Sequence, residues 1–215
     1  MTQGSNSRQS ILNRIRNFTG REESGEVPEK LWSIPQPKYA VDPGEDLVAS
    51  FTLRLNAVHG TLRTISDLSY LPVAVDDYLA ESGLSNVHEI LVHKALVSLE
   101  WGNRSVSSRK AAKPDSVSVT RAYAGISETG TVVMISSPDS PTTQSYLPDT
   151  NIVVLRESRL LATVESLWPL LENQPRALNF ITGPSKTADI EQTIVYGAHG
   201  PRRFHVILIK DADAN

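Results

Sequence analysis

The chain has 215 residues, no cysteine and a formal net charge of -3, from 21 basic and 24 acidic residues. This length suits one sizeable core with an appended arm, and the charge supplies no positive field that would draw the protein to nucleic acid or an anionic membrane. Without cysteine the chain can form neither disulfides nor cysteine-ligated iron–sulfur clusters.

The N-terminal segment predicts an amphipathic helix. It lacks the continuous apolar core of a secretory signal, and no window of the chain approaches the roughly 20 apolar residues that span a bilayer, so we expect a cytoplasmic protein. Ile11, Leu12, Ile15 and Phe18 recur at helical spacing. We expect this face to dock on the body of the protein or on another subunit; binding to a membrane surface is the less favoured alternative, because the basic face is small.

A proline-rich arm follows this helix. Four prolines punctuate residues 20–43, and proline removes both helical and central-strand options. The sequence therefore predicts an N-terminal helix and extended arm over residues 1–45, and one domain over residues 46–215.

Short apolar runs separated by turns fill the rest of the chain. Alternation of apolar and polar residues predicts a half-buried strand over 51–57, and a short helix is predicted over 76–82. Residues 105–113 show no periodicity and predict a surface connection. Continuous apolar or β-branched runs predict further strands over 116–124, 130–136, 151–155, 177–182 and 204–209.

Two helices are predicted between the last three of these strands. Residues 160–171 carry a broad apolar stripe, and residues 185–196 lie between a Gly-Pro-Ser turn and a C-capping glycine. The order of strand, helix, strand, helix and strand predicts an α/β fold, a Rossmann-like, mostly parallel sheet covered by helices. In it the last three strands are expected to be neighbours.

The turn before the second of these helices is the first candidate site. Gly183 permits an unusual backbone conformation, Pro184 stiffens the turn, and Ser185 or Thr187 can cap the helix, where a ligand oxygen could take the same place. Asp189 in the first turn would repel a strongly charged phosphate, which favours a modest carboxylate or polar ligand. The predicted ligand-binding residues are Gly183, Pro184, Ser185, Lys186, Thr187, Asp189, Gly197 and Gly200.

Two side chains are candidates for catalysis. His199 lies between glycines and could act as an acid, a base or a donor to a carboxylate, or its ring could only satisfy a turn carbonyl. Glu128 lies in a glycine-bounded loop between two predicted strands and could be a nucleophile or general base, or could bond backbone amides of the turn. His205, inside a strand, is predicted to be structural, and the scattered histidines predict no zinc site.

Two segments together resemble a known family. AGISETGTVV (124–133) and ITGPSKTADIEQTIVYGAHGPRRFHVIL (181–208) are similar to the LUD domain family, which includes the LutC-like proteins of bacterial L-lactate utilisation. The resemblance implies a fold of the ribose-phosphate isomerase and CoA-transferase superfamily (NagB/RpiA/CoA transferase-like), with its ligand site at strand ends. Lys186 replaces an arginine frequent in the family, which keeps the charge but loses the bidentate fork.

The same resemblance implies a function. It indicates an accessory subunit for the oxidation of L-lactate to pyruvate, alongside LutA-like and LutB-like partner proteins that carry the iron–sulfur clusters. A small carboxylate or phosphorylated ligand is expected on this chain, and an oligomer is compatible with the sequence.

A second function class rests on residues 127–130. Ser-Glu-Thr-Gly resembles the context of the catalytic glutamate of CoA-transferases, which would imply a stand-alone acyl- or CoA-transferring or isomerising enzyme that uses Glu128. The accessory subunit is favoured, because the chain shows no cofactor-binding motif with which to take a hydride from lactate by itself.

Overall fold

The computed structural model describes residues 4–19, 46–111, 116–171, 175–188, 194–196 and 200–211. The chain divides into two compact units, Met1–Tyr39 and Ala40–Asn215. In the first unit the described segment is helix α1 (Gly4–Thr19), which confirms the predicted N-terminal helix. Its docking surface stays a prediction, and the proline-rich arm lies outside the described residues.

The second unit is built from short elements. Its helices are α2 (Leu47–Ala57), α3 (Leu71–Glu81) and α4 (Thr143–Tyr146). Single 3-10 turns occur at Leu68–Tyr70, Lys94–Leu96 and Glu157–Arg159, and a longer 3-10 helix at Val164–Leu170. The strands are β1 (Thr61–Ile65), β2 (Glu89–Val92), β3 (Ser105–Ser107), β4 (Val117–Arg121), β5 (Ala124–Ile126), β6 (Thr131–Ile135), β7 (Thr150–Arg156), β8 (Leu160–Leu161), β9 (Leu178–Ile181), β10 (Lys186–Ala188), β11 (Ile194–Tyr196) and β12 (Arg203–Ile209).

A six-stranded parallel sheet forms the centre of this unit, in the order β1-β12-β7-β4-β2-β3. The neighbouring interior strands β7 and β12 are buried along almost their whole length, which explains their continuous apolar runs. The predicted α/β class with a mostly parallel sheet is confirmed. No helix among the described residues is both long and apolar enough to cross a membrane.

A smaller mixed sheet packs beside the first, in the order β8-β5-β6-β9. Strand β9 pairs antiparallel with β6. The prediction that the last three strands are neighbours is therefore wrong for β9, whereas β7 and β12 do pair in parallel. The run 116–124, predicted as one strand, is divided between the two sheets as β4 and β5.

Each face of the parallel sheet has its own core. On one face α3 packs on alternate residues of β7 and β12, Ile152, Val154, Ile207 and Ile209. On the other face α2 and the smaller sheet cover Val153, Leu155, Phe204, Val206 and Leu208. The 3-10 helix Val164–Leu170 closes the outer side of the smaller sheet through Leu167.

The strand predicted over 51–57 is wrong, because this segment belongs to α2. The Asp46 carboxylate caps the helix, accepting from the amides of Val48 (2.9 Å) and Ala49 (3.1 Å). Phe51 and Leu55 are spaced by four residues and both are buried, so these two apolar positions, which also suit a strand, lie on one face of the helix.

The helix predicted over 160–171 is also wrong. Residues 160–161 pair with β5, and Val164–Leu170 forms a 3-10 helix with Pro169 inside it. Proline lacks the amide that an α-helix needs, and the exposed Trp168 leaves the predicted apolar stripe incomplete. Two smaller differences remain: α3 begins at Leu71, earlier than predicted, and 105–113 contains edge strand β3.

Candidate functional site

The structure brings together the two segments that carry the family resemblance. Strands β6 and β9 pair with Val132 opposite Ile181, which places Thr131 beside Thr182. Their hydroxyl oxygens lie 2.6 Å apart, and the Thr129 hydroxyl donates to that of Thr131 at 2.7 Å. These three side chains, called the threonine row below, link the turn before β6 to the turn after β9.

The glycines of both turns are needed for close approach to the end of α2. Gly130 has φ 66°, and a Cβ placed on it would lie 2.4 Å from the backbone nitrogen of Leu55. Gly183 has φ 77°, and its Cβ would lie 2.8 Å from a methyl group of Val58. Both positions therefore require glycine for conformation and for packing.

The predicted helix over 185–196 is wrong. Its described residues form β10 and β11, an antiparallel pair with Lys186 opposite Tyr196. β-Branched and aromatic residues at 194–196 favour a strand. The residues described directly after Ser185 form a strand, so the expected anion site at a helix N-terminus is absent from the described residues.

The other predicted ligand-binding residues have packing roles where the structure describes them. The Ser185 amide donates to the carbonyl of Pro201 at 2.9 Å. A Cβ on Gly200 would lie 3.1 Å from that of Ser185, so Gly200 lets the two turns meet. Pro184 is buried and Lys186 is exposed. Asp189, Gly197 and His199 lie outside the described residues, and their roles stay predictions.

Glu128 anchors the neighbouring 3-10 helix. Its Oε1 accepts from the amide of Val164, the first residue of that helix, at 2.9 Å, and its own amide donates to the carbonyl of Ala162 at 3.1 Å. The carboxylate thus bonds a backbone amide, although of an adjacent segment rather than of its own turn. Its predicted catalytic role stays a prediction.

His205 is packed inside the sheet. Its Nδ1 lies 2.7 Å from the Thr61 hydroxyl, and its ring stacks on Tyr78 with centroids 4.0 Å apart. Burial, aided by the nearby Arg63 cation, lowers the pKa of His205 to about 4. Within the described ranges no cluster of three or more His, Asp or Glu side chains could hold a metal ion.

Comparison with known proteins places this arrangement in a family. The model of the LUD domain matches residues 56–209, well over half of the chain. The chain belongs to the LUD domain family. It is 28% identical to Lactate utilization protein C of Bacillus subtilis, with 98% of this chain and 100% of the relative covered. It is 31% identical to Uncharacterized protein YkgG of Escherichia coli, with 74% of this chain and 72% of that relative covered.

A solved structure shares the fold. The crystal structure of a DUF162 family protein from Deinococcus radiodurans superimposes with a TM-score of 0.55 at 22% identity, covering 76% of this chain and 96% of that chain. The mostly parallel α/β architecture of this LUD domain is therefore shared with that protein.

A basic hollow that was not predicted from the sequence lies at the end of the parallel sheet opposite to the threonine row. Arg121 and Arg156 are the last residues of β4 and β7, and Arg159 follows shortly after β7. The sequence did contain a signal, because each of these two strands ends in arginine, in VSVTR and TNIVVLR.

Proposed function

We propose that this chain acts in bacterial L-lactate utilisation as a LutC-like accessory subunit. The observation that carries the proposal is the similarity to a protein named Lactate utilization protein C along almost the full length of both chains. The proposal includes LutA-like and LutB-like partner proteins that hold the iron–sulfur clusters, since this chain has no cysteine for such a cluster.

Deletion of the coding gene from its native host tests the role. We expect loss of growth on L-lactate as sole carbon source and normal growth on pyruvate, because the defect would lie before pyruvate. Unimpaired growth of the deletion strain on L-lactate would contradict the proposal.

The accessory character needs a separate experiment. The purified chain, given L-lactate and an artificial electron acceptor, should form no pyruvate, and the tagged chain should capture iron-containing, cysteine-rich proteins from lactate-grown cells. Pyruvate formation by the chain alone would overturn the accessory role, and capture without iron would overturn the proposed partners.

A small carboxylate or phosphorylated ligand is proposed at the threonine row. Thr129 and Thr182 are exposed, their hydroxyls are joined through Thr131, and the exposed Lys186 begins the next strand. Hydroxyl donors beside a cation can hold a carboxylate. The contact between Glu128 and Val164 supports this role over a transferase that uses Glu128 as its nucleophile.

Paired substitutions at Thr182 test the ligand. Thr182→Val removes the hydroxyl and should fail to restore lactate growth in the deletion strain, while Thr182→Ser retains it and should restore growth. Full restoration by Thr182→Val would contradict a ligand at the threonine row.

A further inference from the structure

A hollow of about 340 Å³ lies across the carboxyl ends of the parallel strands. Its lining residues end or follow the adjacent strands β1, β12, β7, β4 and β2, with Leu68 after β1 and Leu96 after β2. Ligands of open α/β sheets bind outside the carboxyl ends of strands, and pockets of a few hundred Å³ hold small molecules. Position and size therefore both suit a metabolite.

The charged residues that line this hollow are all cationic. They are Arg121, Arg156 and Arg159, and the remaining lining residues include no Asp or Glu. We call the cavity the arginine hollow. Three guanidinium groups around one cavity favour an anion with carboxylate or phosphate oxygens, which arginine binds in a bidentate manner.

These arginines differ from others in their pairing. Arg63 donates to the Asp77 carboxylate at 2.8 Å, and Arg104 pairs with Asp76. In the hollow, Arg156 forms a long ion pair with Asp211, at 3.8 Å, which is too long for a hydrogen bond. In the part of the chain that the structure describes, Arg121 and Arg159 form no ion pair with a carboxylate.

The surroundings of the arginines strengthen their attraction for an anion. The Arg159 guanidinium lies 5.6 Å from the centre of the Tyr123 ring, a cation–π contact that orients it. The apolar side chains of Leu96, Val154 and Ile209 line the hollow and are buried. Low-dielectric walls concentrate the field of the cations within the hollow.

We infer that the arginine hollow is a binding site for a small organic anion that bears carboxylate or phosphate groups. It is separate from the threonine row: Gly200 and Pro201 precede the first residue of β12, whereas the hollow lies at the last residues of β7 and β12. These strands of seven residues separate the two places by roughly 20 Å. The inference does not depend on a role in lactate utilisation.

Calorimetric titration of the purified full chain tests this site. The probes are succinate for carboxylates, inorganic phosphate for phosphates, and neutral succinamide as the uncharged control. We expect succinate or phosphate to bind at millimolar concentration, succinamide not to bind, and whichever of the two anions binds more tightly to identify the preferred group.

Two matched variants locate the binding. Arg121→Gln should weaken anion binding about tenfold, because one charge-assisted contact is lost. Arg202→Gln makes the same change of charge on an exposed arginine at the amino end of β12 and should leave the affinity unchanged. Equal weakening by both variants, or no binding of either anion to the unmodified chain, would overturn the inference.

A measurement on the unmodified chain covers the case in which Arg121→Gln misfolds. Amide shifts in NMR spectra during titration should move at Ala95, Leu96, Ala122 and Tyr123. Shifts confined to the turns around Gly183 and Gly200 would overturn the arginine hollow as the site.

Discussion

The two ends of the parallel sheet carry polar side chains of different kinds. Near the amino ends, Asn151 accepts from the hydroxyl of Ser118 (3.3 Å) and, further along β4, from that of Thr120 (2.9 Å), and all three side chains are buried. At the carboxyl ends, Arg121 and Arg156 are exposed; Arg121 forms no ion pair with a carboxylate in the described part of the chain, and Arg156 forms only a long one with Asp211, at 3.8 Å. Buried groups that bond each other stabilise the fold, whereas exposed cations around a cavity remain available for a ligand.

This difference changes how the family motif is interpreted. The motif turns meet at the amino end, and their glycines are explained by contact with the end of α2. The arginine hollow belongs to neither motif segment. A recognisable motif can thus specify packing, while a cavity with the charge of a binding site lies elsewhere.

Alanine substitution of the motif glycines has the largest expected effect. Gly130→Ala should lower the free energy of unfolding by about 4 kcal/mol, because backbone strain adds to a clash with the backbone of α2. Gly183→Ala should cost about 2 kcal/mol, since the side chain of Val58 can move. Urea unfolding followed by circular dichroism measures both.

Gly102→Ala is the matched control for backbone conformation alone. Gly102 has φ 58°, and a Cβ there would meet nothing within 4 Å. A cost of about 1 kcal/mol is expected. If all three substitutions cost the same, close packing at the motif turns is not the reason for their glycines, and the contrast between the two ends weakens.

The strands that could be predicted from sequence are those whose apolar runs are unambiguous. The runs that became β6, β7 and β12 are β-branched, bounded by turns and buried from both sides, so local pattern and tertiary packing agree. The strand prediction for residues 51–57 is wrong because apolar side chains at positions 51 and 55 fit one face of either a strand or a helix. The Asp46 cap and the packing of α2 decide between them.

The candidate sites were predictable to different degrees. The threonine row lies within segments that sequence singled out, although pairing of β6 with β9 was needed to bring Thr131 to Thr182. The arginine hollow gathers residues that are far apart along the chain, and only the order of the parallel strands brings them together. The residues that form a turn are adjacent in the sequence and can be recognised there, whereas the order of strands in a sheet depends on contacts between distant segments.

The pH dependence of stability that His205 causes tests whether the amino end of the sheet has a structural role. Its pKa in the folded protein is about 4, below the ordinary histidine value of about 6.5. The unfolded chain therefore takes up a proton first as the pH falls. Stability is complete above about pH 6.5 and decreases by up to about 3 kcal/mol as the pH approaches 4.

Urea unfolding between pH 7.5 and 5 compares the wild type with His205→Gln, which cannot titrate. The variant should lose less stability than the wild type on acidification, with a residual loss because burial and Arg121 also lower the pKa of His93. His88→Gln, at an exposed histidine, should follow the wild type. Parallel curves for the wild type and His205→Gln would show that His205 does not control the acid sensitivity.

Glu128 gives the smallest expected effect and the sharpest distinction between structural and catalytic chemistry in the motif. Glu128→Ala should lower the free energy of unfolding by about 1 kcal/mol, because the amide of Val164 loses its acceptor at the start of the 3-10 helix. Glu128→Gln keeps an acceptor oxygen and should be close to wild type in stability. Glu165→Ala, at an exposed position on the same 3-10 helix, controls for loss of a carboxylate.

Growth on L-lactate separates the two roles of Glu128. An amide oxygen can accept the bond from Val164 but cannot act as a carboxylate nucleophile or base. Normal growth with Glu128→Gln therefore agrees with a carboxylate that anchors the 3-10 helix. A folded Glu128→Gln variant that fails to support growth would indicate that the Glu128 carboxylate is catalytic. The amino end of the sheet would then contain a reactive site in addition to its packing contacts.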